Sequence, residues 1–136
     1  MATITTAQSL TDLHAELLAD AGIAAVIGTR LYAIQARQNA VRPYAVYNVI
    51  NNTMSLTHDG DASQTRLPIQ IDVYGDTALS AIEAADAIKT RLVGLVVLRG
   101  NTLIQVGILD TERTDFEPGG EFERISMDFD LLFARA

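Results

Sequence analysis

Apolar positions recur along this chain at two spacings, helical and alternating, and the switches between them lay out its elements. From Ser9 the sequence reads SLTDLHAELLADAG, with Leu10, Leu13, Leu17 and Leu18 on one helical face and Asp12 and Glu16 away from it. This predicts a first helix. Ser9 and Asp12 resemble a capping box, an earlier start at Thr5 or Thr6 is equally open, and Gly22 is the expected stop. Ile23 to Ile27, IAAVI, is too short to stand alone and reads as one more helical turn folded onto the core. The period then drops to two. Arg30 to Ala36 reads as a strand, RQNAVRP as a loop, and Tyr44 to Thr53 as a strand apolar on both sides. Its two faces are Tyr44, Val46, Asn48, Ile50 and Ala45, Tyr47, Val49. Asn51 to Gln64, rich in Asn, Thr, Ser, His, Asp and Gly, reads as a long mobile loop. Thr65 to Tyr74 alternates with Leu67, Ile69, Ile71 and Val73 inward. Pro68 has no ladder donor, which puts that strand at an edge there or makes it begin there.

Helical spacing returns in TALSAIEAADAIKTRLVG, capped by Asp76 or Thr77, with Leu79, Ala81, Ile82, Ala85, Ile88 and Leu92 as its expected apolar stripe. Lys89 and Arg91 sit in the last turn before Gly94, where the helix dipole favours cations. Leu95 to Leu98 is short enough for only a brief strand, turned back at Arg99, Gly100 and Asn101. Thr102 to Thr114 and Glu123 to Ala134 read as strands joined around Pro118, Gly119 and Gly120, and should pair as a hairpin. The order predicts an α+β fold: an antiparallel-rich β-sheet with two main helices packed on one face, in a single domain spanning residues 1–136. Such a sheet leaves a second face for water or a partner. Tyr32, Tyr47, Tyr74, Asp72, Asp128 and Asp130 are the residues expected on it.

Charge narrows the range of functions. Ten Lys and Arg against seventeen Asp and Glu give a formal charge of −7. That balance repels phosphate, and no basic block overrides it, so sequence-specific nucleic-acid binding is not expected. The longest uncharged apolar stretch, Ala21 to Thr29, falls far short of the roughly 20 residues of a membrane helix, so no membrane partner is expected, and the N-terminus shows no export signal. The sequence contains no cysteine, which removes disulfide, thiolate and cysteine-zinc chemistry.

The candidates for chemistry are few. Residues 101–136 hold eight acids and three bases, a balance of −5, against nine and seven, or −2, in residues 1–100. Asp110, Glu112, Asp115, Glu117, Glu121 and Glu123 could bind Ca²⁺ or supply an acid and base pair, yet they lack the glycine and terminal glutamate of a helix-flanked calcium loop. Alternating carboxylates on strands read instead as a solvated or docking face. His14 and His58 share no metal-ligand spacing; His14 reads as a helix-flank residue, and His58 with Asp59 and Asp61 as loop solvation or a weak interface cluster. Neither a nucleophile elbow nor a phosphate-cradling glycine loop is present. No catalytic, metal or cofactor residue is assigned. Nine of the ten basic residues are arginine, a choice shared by GC-rich coding and by interface ion pairing. Arg113 and Arg124 flank the acidic hairpin, where subunit or cross-strand pairing with Asp115, Glu117 or Asp128 is physically plausible.

In order, AGIAAVIGTRLY, RPYAVYNVI, QIDVYGDT, AADAI and ILDTERTDFEPGGEFERISMDFDLLF give the chain a resemblance to a family. It resembles the small phage tail-completion proteins, also called tail terminators or tail-to-head joining proteins, of long-tailed bacteriophages and prophages. The resemblance implies a non-enzymatic structural subunit that forms a ring, expected to be hexameric, caps the tail tube and meets a head-completion or connector protein. It places the protein in the virion, at the head-proximal end of the tail, after assembly in the host bacterial cytoplasm. Arg113, Asp115, Glu117, Arg124, Asp128, His58 and Asp59 are then the candidates for a subunit or partner interface. The competing readings are a small-molecule-binding or regulatory α+β module and, last, an acid/base enzyme using the C-terminal carboxylates.

Overall fold

One aspartate divides the N-terminal helical segment. In a computed structural model that describes residues 6–34, 41–50, 53–55, 64–99, 102–116 and 123–135, α1 runs Thr6–Ala19 and α2 runs Ala21–Ile27. Asp20 lies between them with extended backbone and accepts the Ile23 N–H on Oδ2 at 3.0 Å, an N-cap that starts a new helix. Gly22 is therefore inside α2 and is not the stop of α1. Ser9, offered as a cap, lies buried within α1, and the earlier start holds. The helical turn expected over Ile23 to Ile27 is the body of α2, closed by Gly28 at a φ of 61°.

The strands are β1 (Leu31–Ala33), β2 (Tyr44–Val49), β3 (Thr53–Ser55), β4 (Gln64–Gly75), β5 (Val96–Arg99), β6 (Thr102–Phe116) and β7 (Glu123–Arg135). They form one sheet in the order β1-β2-β4-β7-β6-β5, with β3 pairing β4 on the side of β2. All pairs are antiparallel except β1 with β2. β1 is shorter than its alternation suggested and stops at Ile34, whose φ is 67°. Part of the expected loop over Asn51 to Gln64 is strand β3, and 51–52 and 56–63 lie outside the described residues. The final hairpin pairs as expected from Thr102↔Arg135 to Phe116↔Glu123, with register shifts between Val106 and Ile108 and between Leu109 and Thr111.

Pro68 lies inside a central strand, yet its lost donor disturbs no ladder. β2 ends at Val49 and β3 begins at Thr53, so among the described residues no strand pairs with β4 on that side at Pro68. There Pro68 only accepts, taking the Ile50 N–H on its carbonyl at 2.8 Å. The edge inferred from the proline is a local one.

α3 (Ala78–Leu92) begins at Thr77, whose hydroxyl accepts the Ser80 N–H at 3.1 Å, so Thr77 and not Asp76 is the cap. Its buried stripe is Ala81, Ala84, Ala85, Ile88 and Leu92. Leu79 and Ile82, assigned to that stripe from the sequence, are 65% and 44% exposed. Three alanines explain the difference. They let the helix lie close on the sheet, with its axis turned so that small side chains, not Leu79 and Ile82, face β4 and β7. The covered side of the sheet supplies Leu67, Ile69, Ile71 and Val73 from β4 and Ile125, Met127, Phe129, Leu131 and Phe133 from β7. These join Leu13, Leu17, Ile23 and Ile27 of α1 and α2 in one core. Each fully buried Leu, Ile or Phe is worth roughly 1.5–3 kcal/mol, so this core fixes which sheet face is covered.

Candidate assembly surface

Strand pleat puts the partners of the core residues on the opposite, helix-free face. The register assembles that face row by row. Tyr44, Tyr74 and Arg124 are cross-strand neighbours on β2, β4 and β7, and Asp115 of β6 lies opposite Arg124. The next rows are Val46, Asp72 and Ser126; then Asn48, Gln70 and Asp128; then Pro68 and Asp130; then Arg66, Leu132 and Gln105; then Ala134 and Leu103. β5 adds Val96 opposite Gln105 and Leu98 opposite Leu103.

Three zones result. At the corner made by β1, β2 and β4, the Tyr44 ring stacks on Tyr74 with centroids 5.0 Å apart and meets Tyr32 edge-on at 5.9 Å. Burial first, and then the neighbouring Tyr74, push the Tyr44 hydroxyl above its ordinary range, while Arg42 acts the other way. Beside this row Arg42 Nε donates to Asp76 Oδ1 at 2.6 Å.

The middle zone is polar and internally paired. Asp72, buried despite its charge, accepts from Ser126 Oγ at 2.5 Å and from Gln70 Nε2 at 3.1 Å. Arg66 grips Asp130 with two donors, Nε to Oδ1 at 2.8 Å and Nη2 to Oδ2. At the opposite corner the face turns aliphatic. Val96 and Leu98 are 63% and 59% exposed, and Leu103, Leu132 and Ala134 beside them are half-buried.

Tyr47, expected on this open face, belongs to the covered one. In β2 it alternates with Tyr44 and falls with Ala45, and a hydrogen bond of 2.9 Å joins its hydroxyl to His14 Nδ1 of α1. Burial pushes that hydroxyl above the ordinary tyrosine range. His14 thus has a structural partner that sequence spacing did not show.

Of the interface residues named from the sequence, Asp115 lies opposite Arg124 in the ladder, Arg113 opposite Ser126, and Asp128 between Thr111 and Gln70. The ladder therefore brings Arg113, Asp115, Arg124 and Asp128 into adjoining rows. Glu117, His58 and Asp59 lie outside the described residues. Sequence reasoning passed over Tyr44, Val96 and Leu98. The two-residue period in YAVYNV already sets Tyr44 apart from Tyr47, but nothing in VVLR shows that β5 comes last in the strand order of the described residues. Among the described residues no group of three or more His, Asp or Glu could hold a metal ion, and no helix is long and apolar enough to cross a membrane.

A chain from the virion of a native gene transfer agent particle has a similar fold, with a TM-score of 0.74, 19% identity, and 91% of this chain and 92% of that chain covered. A second solved chain matches at a TM-score of 0.66 and 17% identity over 97% of this chain and 99% of that one. At those identities the likeness is one of fold. No curated protein sequence matches the chain. The family of tail completion protein gp17 matches residues 11–134, most of the length. That family comprises structural phage tail proteins and is not an enzyme family. The resemblance carried by the ordered motifs and the match over residues 11–134 thus agree, and the chain belongs to the tail completion protein gp17 family.

Proposed function

We propose that this tail protein is a ring-forming subunit, hexameric when assembled, that caps the phage tail tube and joins it to the head. The family match over residues 11–134 carries the reading. The fold supports it, because among the described residues the sheet ends in two short strands, β1 and β5, to which a neighbouring subunit could pair. The partners on this reading are further copies of the chain, the tail tube protein and a head-completion or connector protein. The site is the head-proximal end of the tail, reached after assembly in the host bacterial cytoplasm.

The charged rows Arg113, Asp115, Arg124 and Asp128, with Glu117, act as a subunit or partner surface. His58 and Asp59 are further candidates for that surface. An acidic chain of net charge −7 also suits a channel through which DNA passes, since like charge disfavours phosphate contacts. Light scattering across a wide concentration range, followed by negative-stain imaging, tests the proposal. A closed ring of about six subunits is expected, because cyclic closure is what capping a tube needs. A monomer at every concentration that also fails to assemble on added tail tubes overturns it.

A further inference from the structure

We propose that Asp20 is a hinge at which α1 leaves its seat on its own chain and takes the same seat on a second copy. The division of α1 from α2 rests on one backbone angle. Asp20 has a φ of −78°, already near the helical value, and a ψ of 122°, where a helix needs about −42°. Ala24 N–H donates to the Asp20 carbonyl at 3.0 Å, as it would in an unbroken helix. Rotating that ψ joins Thr6–Ala19 to Ala21–Ile27 as one helix of roughly 33 Å, at about 1.5 Å per residue. What holds the angle is the cap, in which Ile23 N–H donates to Asp20 Oδ2 at 3.0 Å. Such a cap is worth roughly a factor of five in an equilibrium.

Straightening takes α1 off the body, and the seat it vacates is a specific one. Leu13 and Leu17 are fully buried there, Glu16 meets Arg91 of α3, and His14 Nδ1 lies 2.9 Å from the Tyr47 hydroxyl of β2. A straight helix alone in water exposes both leucines and strips Glu16 of its cation, so it persists only on a seat with the same pocket, cation and hydroxyl. A second copy carries that seat. Every contact of α1 with the body is then remade between chains, and the straightened hinge gains helical hydrogen bonds in place of one cap. Exchange of an identical element joins copies at low cost for this reason. No described strand pairs with α1, so the sheet stays whole as the helix leaves. Each copy gives one helix and receives one, which closes as a reciprocal pair or around a cycle. Such exchange goes beyond the ring proposed above and does not depend on it.

Three substitutions push the hinge in opposite directions, and light scattering over a wide concentration range reads them. Asp20→Ala removes the cap and favours the straight helix; with two hinges in a pair, the concentration for half-association should fall about tenfold or more. Gly22→Ala acts the same way, because an added Cβ meets the cap oxygen Oδ2 at 3.2 Å. Ala21→Pro does the reverse. Proline fits the first position of α2 and holds Asp20 near its present ψ but breaks a continuous helix, so it should raise that concentration about a hundredfold or more. Glu16→Lys and Arg91→Glu proteins test the exchange itself. Each alone sets like charges in its own seat, whereas exchange in the mixture sets opposite charges in both. Native mass spectrometry of the mixture should show a mixed species with a Tm above that of either protein alone. Folded variants that give no mixed species overturn the exchange; should they not fold, the three hinge variants decide, since their seats are wild type. Association unchanged by Asp20→Ala, Gly22→Ala and Ala21→Pro overturns it and, where the wild type forms rings, leaves the ring standing. Asp20→Ala and Gly22→Ala proteins that stay monomeric at every concentration overturn it as well, whatever tail tubes do to the wild type.

Discussion

Replacing Arg91 by leucine tests how α1 is held to α3. Arg91 Nη2 meets Glu16 Oε1; the Glu16 side chain is 2% exposed and that of Arg91 33%. A pair of exposed charges would contribute about 0–1 kcal/mol. A buried carboxylate stripped of its cation costs about 3–5 kcal/mol, because nothing replaces the water it gave up on folding. Arg91 is a third exposed, so water screens part of the attraction and can reach the vacated place. That discount sets the expected loss for Arg91→Leu at about 2–3 kcal/mol. For a chain of this length it corresponds to a fall in Tm of roughly 6–12 °C. Leucine keeps much of the packing volume, so the loss reports charge more than cavity. Urea unfolding of the wild type, Arg91→Leu, Glu16→Leu and the double variant closes a cycle, and the double variant should recover to within about 1.5 kcal/mol of the wild type. The loss should persist at 1 M salt, where the screening length is about 3 Å and surface pairs vanish. If Arg91→Leu costs less than about 0.5 kcal/mol, Glu16 does not depend on its cation and the reasoning fails.

Three further outcomes follow from the covered face and its edges. A Cβ on Gly75 would come 2.6 Å from Ala81 N and 3.0 Å from Ala81 Cα, both backbone, so Gly75→Ala should cost about 2–3 kcal/mol, and an unchanged melting temperature would contradict the close approach of α3 to β4. Burial raises the Tyr47 hydroxyl above 10.0, so its contribution to stability is complete below that pH and is lost as pH climbs through the raised value. Tyr47→Phe should flatten the decline in urea stability above pH 10, and an identical slope would count against it. It should also cost about 1 kcal/mol at neutral pH through the lost hydrogen bond to His14. Ile34→Gly should gain about 0.5–1 kcal/mol by relieving the positive φ, net of glycine's added freedom when unfolded, and a loss on thermal melting would refute the strain.

The alternation in Thr65 to Tyr74 and Glu123 to Ala134 made the covered face legible, because a period of two leaves one set of residues for the core. Helix α3 was legible in type and cap region but not in rotation. Its stripe is narrow and alanine-rich, and a larger residue such as Leu79 outweighs an alanine in any pattern although packing prefers the alanine. Asp20 carried the division of α1 from α2, but it sits in a run of good helix formers where a cap is indistinguishable from a solvated carboxylate. Strand order was not legible. Tyr44 and Tyr74, thirty positions apart, become neighbours only because β2 and β4 pair, and the Tyr47 error followed from grouping tyrosines by type before grouping them by strand face. The charged candidates fared differently. Asp115 opposite Arg124 follows from the hairpin, which the turn residues already announced.

How charge is arranged on the open face bears on which contact closes the proposed ring. Arg66 is joined to Asp130, and Asp72 is held by Ser126 and Gln70. Opposite charges in contact cancel beyond the screening length of about 8 Å at physiological salt, so these rows fix register more than they attract from a distance. What acts at a distance is the net charge of −7 on every copy, which is repulsive between copies. If apolar surface closes the ring, added salt removes that repulsion and leaves the apolar contact intact. Assembly should then hold or strengthen from 50 to 500 mM NaCl, a range over which the screening length falls from about 14 to about 4 Å. A ring that comes apart over the same range is held instead by the charged rows of Arg113, Asp115, Arg124 and Asp128.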